Sequence, residues 1–134
     1  MKTFSLLIAF LALSFISEAQ TITVTVENVL NENGKILASL HTSETFMKGP
    51  GIKNSESKIK GETVEITFTD VEPGTYAIMI LHDENENNRM DYEVSGMPKE
   101  HYGMSNNPMS FGPPQFADAK FEMGSKDQEI KIRF

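Results

Sequence analysis

The chain contains no cysteine, so neither a disulfide nor a thiol nucleophile contributes to its fold or chemistry. It carries no G-x-S-x-G elbow, no H-E-x-x-H pair and no glycine-rich phosphate loop, which removes the commonest hydrolase, metalloprotease and nucleotide-binding readings. Basic side chains are the minority, 12 Lys and Arg against 19 Asp and Glu, for a formal net charge of −7. That balance argues against nucleic acid or an anionic membrane as partner and favours cations or basic surfaces. The one long apolar run, Phe4 to Ile16, falls short of the ~20 residues a spanning helix needs.

That run is better explained as an export signal. Lys2 precedes it, and Ser17 and Ala19 put small residues at the −3 and −1 positions of a cleavage site after Ala19. No cysteine follows to make a lipoprotein, so we expect an exported protein in the periplasm or outside the cell, beginning at Gln20. The signal segment holds one Lys and one Glu, so its removal leaves the net charge unchanged. Residues 20–134 suffice for a single domain with one core, with 1–19 as the signal peptide.

Beyond the signal, the pattern is almost wholly that of strands. "TITVTVE" (21–27), "KILASLH" (35–41) and "ETVEITFTDV" (62–71) alternate apolar and polar residues at period two, the mark of half-buried strands. "NENG" (31–34) and "EPG" (72–74) read as turns, the latter with proline presetting φ and Gly74 supplying a left-handed position. "KGPGIKN" (48–54) reads as loop, with a short strand expected near 57–60. "TYAIMILH" (75–82) is apolar on both faces, as a central strand would be, and "DQEIKIRF" (127–134) turns Ile130, Ile132 and Phe134 inward. From Asp83 to Met123 little strand pattern remains, and loops of that length in compact domains are usually functional. The expected fold is all-β: an antiparallel β-sandwich of immunoglobulin or transthyretin type with one long loop insertion and no helix.

The long loop opens with "HDENENNRMD" (82–91), four acids and three asparagines around one arginine. Counted from Asp83, side-chain oxygens stand at positions one (Asp83), three (Asn85), five (Asn87) and nine (Asp91), with the backbone carbonyl of Arg89 at seven. This is the spacing of an EF-hand-type calcium loop, in which alternate residues turn inward and a hard cation collects about 6–8 oxygens. An ion would also relieve the repulsion among Asp83, Glu84, Glu86, Asp91 and Glu93. Two departures weaken the match: Asn88 replaces the usual glycine at position six, and Val94 replaces the bidentate glutamate at twelve, so that Glu93 or Glu100 would have to substitute. The competing reading is a solvated acidic turn.

Other chemistries have less to stand on. His82 and His101, with Met90, Met97, Met104 and Met109, could form a soft site for copper, although their spacing is irregular. Glu100, His101 and Tyr102 could be drawn as an acid–base group, but three neighbours in a loop are weak support for an enzyme.

Taken together, "PGTYAIMILHDENENNRMD", "GMPKEHYGMSNNP" and "FGPPQFADAKFEM" resemble an exported bacterial family known as domain of unknown function 2141. The resemblance runs from about Thr21 to the C-terminus and implies no reaction. The central "PGTYAI" and D-x-N-x-N part is also similar to transthyretin-like surface modules, some of which bind calcium through such a loop. The expectation is therefore an exported binding or structural module with a Ca²⁺-stabilised loop and an unknown protein or extracellular ligand as partner. A copper handler is second and an enzyme third.

Overall fold

A computed structural model describes residues 19–109 and 112–134. The expected signal segment, apart from Ala19, lies outside them. The strands are β1 (Gln20–Glu27), β2 (Lys35–His41), β3 (Lys53–Lys58), β4 (Val64–Val71), β5 (Gly74–Asp83), β6 (Tyr102–Met104), β7 (Phe121–Met123) and β8 (Gln128–Arg133), with one short helix, α1 (Phe116–Ala119), before β7. They form two sheets: a three-stranded one ordered β4-β1-β8, and a larger one ordered β3-β2-β5-β6 in which β7 also pairs with β5. The all-β sandwich holds, with one exception to its antiparallel character: β8 runs parallel to β1, from Ile22 opposite Gln128 to Glu27 opposite Arg133.

The alternating strands supply the layer between the sheets. Ile22, Val24 and Val26 of β1, with Ile66 and Phe68 of β4 and Ile132 of β8, meet Ile36 and Leu40 of β2 and Ile78 and Ile80 of β5. Each such side chain, taken fully out of water, contributes about 1.5–3 kcal/mol. Strand β5 is apolar on its other face for a separate reason. Ala77 and Met79 lie beneath a second small core of Phe46, Met104, Ala119, Tyr102 and Phe116, supplied by loops, β6 and α1.

Three local expectations change. β3 starts at Lys53, earlier than expected, inside the stretch read as loop. At the β4–β5 corner Gly74 is not left-handed. The positive φ belongs to Asp70, at 56°, where the register between β1 and β4 shifts as in a β-bulge. The corner is then fastened by the Tyr76 hydroxyl, which donates to the Glu72 carbonyl at 2.8 Å, the arrangement of a tyrosine corner. Finally, the segment without pattern contains β6, α1 and β7, elements too short to display a period.

That segment is fastened to the sandwich by polar side chains. The buried Ser105 hydroxyl donates to the Ala119 carbonyl and accepts from the Ile78 N–H. Asn106 donates to the carbonyls of Asp118 and Lys120. Asn107 donates to the Lys131 carbonyl at 3.1 Å and accepts the Arg133 N–H at 3.0 Å, so its amide pairs with β8 as another strand would. Since β8 ends its sheet, this covers an otherwise open edge. Gly103 is needed where β6 meets β8, because a Cβ there would lie 2.8 Å from the Ile132 side chain.

Candidate functional site

The acidic loop lies in the mouth of the β5–β6 hairpin. The strands pair Met79 with Met104, Ile80 with Gly103 and Leu81 with Tyr102. The His82 N–H then donates to the His101 carbonyl at 2.9 Å, continuing the same register. Just beyond, Asp83 and Glu100 come close enough for their charges to interact. Both are withdrawn from solvent, Asp83 to 0 % exposure and Glu100 to 7 %. Neighbouring like charges are destabilising even at the surface, and burial adds the cost of lost hydration.

Asp83 is well provided for. Its carboxylate accepts the Asn88 N–H at 2.8 Å and the Asn87 N–H at 3.2 Å, which winds the chain back over the strand end. The turn requires Glu86 at φ 55° and Asn88 at φ 62°. Asparagine at position six thus does the work of the usual glycine, whereas glutamate in that region is strained. Gly34 makes the adjoining approach possible, since a Cβ on it would overlap the Asp83 carbonyl.

Of the four side chains named from spacing, Asn85 and Asn87 meet Asp91, while Asp83 holds the backbone of the same loop. Asn85 and Asn87 each use their oxygen on a backbone N–H two residues ahead, of Asn87 and Arg89 respectively. Both send their amide nitrogens to Asp91, at 2.6 Å from Asn85 and at 2.8 and 2.9 Å from Asn87. Those two donors, with smaller help from the Arg89 charge and a side-chain hydrogen bond with Glu100, hold the Asp91 carboxyl below the usual range. The Arg89 carbonyl accepts none of the backbone hydrogen bonds that close the loop. An amide or carboxylate oxygen that accepts one N–H keeps a second lone pair, so the loop's oxygens are not exhausted.

Glu100 is in the opposite condition. Its Oε2 is buried without a hydrogen-bond partner. Burial pushes its carboxyl above the ordinary range, Asp91 and Asp83 push it further, and the backbone N–H groups of Asp91 and Glu84 partly offset this. Of the nearby cations, Lys35 is opposite Asp83 on β2 but bonded to Glu56 at 2.9 Å, and Arg89 is exposed. Spacing could not single out Glu100, because it approaches the loop through the β5–β6 register. Glu93, the other candidate for the missing carboxylate, is exposed in a turn closed by its N–H on the Met97 carbonyl.

The groups considered for copper do not converge. The buried His82 donates Nε2–H to the Asn33 carbonyl at 2.8 Å and stacks on Phe134, leaving Nδ1 unpartnered and 4.0 Å from Glu84. His101 is exposed and tilted against the same Phe134 ring at 6.3 Å. Met104 belongs to the second core, while Met97 and Met109 are largely exposed. Among the described residues no three His, Cys, Asp or Glu side chains form a ready group for a metal ion, so any cation site here must draw on asparagine and backbone oxygens. Glu100, in a bend, His101 and Tyr102, where β6 begins, all line the cleft beside the loop. Glu100 turns in, His101 is exposed and Tyr102 reaches the second core.

Beside the loop is a cleft of ≈ 700 Å³ lined by Leu30, Met97, Pro98, His101, Tyr102 and Phe134. The turn above it, from Tyr92 to Pro98, leaves Tyr92, Val94 and Met97 exposed.

Residues 24–131, which take in the whole loop and most of both sheets, match the model of a family described as uncharacterized proteins conserved in bacteria, DUF2141. The chain belongs to that family. No curated protein and no solved structure matches it significantly. The family carries no assigned reaction, so chemistry has to be argued from the loop.

Proposed function

We propose that this member of DUF2141 is an exported binding or structural module whose long crossover is fastened by a calcium ion. The ligands are Asp83, Asn85, Asn87, the Arg89 carbonyl and Asp91. The observation that supports this is the convergence of the Asn85 and Asn87 amides on Asp91 in a loop wound on the buried Asp83, which brings oxygen-bearing side chains with a net negative charge into one loop. Oxygen donors of this kind suit Ca²⁺, and the absence of convergence among His82, His101 and the methionines disfavours copper. The cleft and the apolar turn beside the loop are the surface on which a protein or extracellular ligand would be bound.

The test is thermal unfolding of the EDTA-stripped protein with and without calcium. A strained loop belongs among weak extracellular sites, with a Kd on the order of 10⁻⁴ to 10⁻³ M. At about 1 mM Ca²⁺, binding linkage then adds roughly 0.4–1.4 kcal/mol. For a domain near this size the melting temperature rises by roughly 2–10 °C. Magnesium, which demands tighter octahedral geometry, gives a smaller rise. Identical melting curves in EDTA and in millimolar Ca²⁺, or tight Cu(I) binding without a calcium response, overturn the reading.

A further inference from the structure

We infer that Glu100 is a further ligand of that calcium ion, so that the ion joins the two ends of the crossover across the mouth of the β5–β6 hairpin. This rests on the calcium reading above and goes beyond the loop's own spacing. Glu100 has less than a tenth of its surface exposed, and one of its carboxylate oxygens is buried with no donor. Buried polar atoms nearly always find a partner, so a bare carboxylate oxygen in this position marks a missing one. Glu100 faces the carboxylates of Asp91 and Asp83 and shares a side-chain hydrogen bond with Asp91, so what lies between them is a proton or, on this inference, the cation that displaces it.

The chain path fits the assignment. Val94, which stands where a calcium loop places its bidentate glutamate, points wholly into solvent. The loop instead continues through the turn Tyr92 to Pro98 and returns. The Lys99 N–H donates to the Asp91 carbonyl at 2.8 Å, so the next residue, Glu100, arrives beside Asp91 from the opposite direction. The carboxylate missing from the linear motif is thereby supplied through space; Asp83, Asp91 and Glu100 do not by themselves form a ready metal group, so the asparagine and backbone oxygens have to complete the set. Both ends of the apolar turn, Asp91 and Glu100, then share one ion, and its loading sets how firmly Tyr92, Val94 and Met97 are presented.

The inference is tested by calcium titration calorimetry on the wild-type protein, Glu100→Gln, Glu100→Asp and Glu93→Gln. Wild type is expected to take up one ion. Glu100→Gln, which loses a charged oxygen ligand, should bind about tenfold more weakly or worse. Glu100→Asp should also be weakened while keeping its charge, and Glu93→Gln should stay within about twofold of wild type. Hydrogen exchange gives a second readout: calcium should slow exchange of the Lys99 amide in wild type and not in Glu100→Gln. Wild-type affinity in both Glu100 variants overturns the inference and leaves the calcium site standing. No calcium binding by wild type overturns both.

Discussion

Replacing Glu100 by glutamine should stabilise the metal-free protein, a reversal of what removal of a buried charged residue usually does. In the wild type, one carboxylate oxygen of Glu100 lacks a donor while Asp91 and Asp83 stand close by. Glutamine has nearly the same shape, keeps one oxygen for the backbone N–H groups, and turns an N–H toward those carboxylates. A hydrogen bond to a charged acceptor is worth about 1.5–3 kcal/mol. The loss of one charge-assisted acceptor offsets part of that, leaving a net gain of about 1–2 kcal/mol. At this chain length the melting temperature should rise by roughly 3–10 °C.

The gain should depend on pH in a defined direction. The Glu100 carboxyl is raised in the folded state, so the native protein holds this proton more tightly than the unfolded chain does. Its stabilising contribution is present below the ordinary glutamate range and is lost as pH rises through the folded-state pKa. The difference between Glu100→Gln and wild type should therefore be small near pH 4, about the ordinary glutamate value, and grow toward neutrality. Scanning calorimetry in EDTA at several pH values measures it. A mutant that melts below wild type at pH 7, or a difference independent of pH, refutes the account of Glu100 as an unpartnered carboxylate.

The neighbouring carboxylate should behave differently. Asp83→Asn removes the same charge but gives up one of two oxygens that receive backbone N–H groups, so without metal it should be less stable than Glu100→Gln by about 1.5–3 kcal/mol, read from the two melting curves. Asn107→Ala removes both hydrogen bonds that cover the edge of β8 and should cost about 1–2 kcal/mol, seen as a lower midpoint in urea.

The expectation for Asp83 departs from what repulsion alone suggests. From the sequence, five acids around one arginine imply that neutralising Asp83 would be harmless. The two N–H groups on its carboxylate show that it is also the anchor of the loop. The linear pattern registers charge, and the structure adds which charges already have donors.

The sequence by itself determined the all-β class, four of the long strands nearly to the residue, and the cluster Asp83, Asn85, Asn87 and Asp91. These are local properties: a half-buried strand must alternate, and a wound loop must bring alternate side chains to one side. Tertiary structure alone decided the parallel β1–β8 pairing, because an alternating strand carries the same pattern in either direction. It also decided β6 and β7, whose three residues each show no period and exist as strands only because β5 lies alongside. The approach of Glu100 to Asp91 and Asp83 and the capping of β8 by Asn107 follow from that folding-back. Neither is visible along the chain, since the partners are brought together by the register of another strand and not by their own spacing.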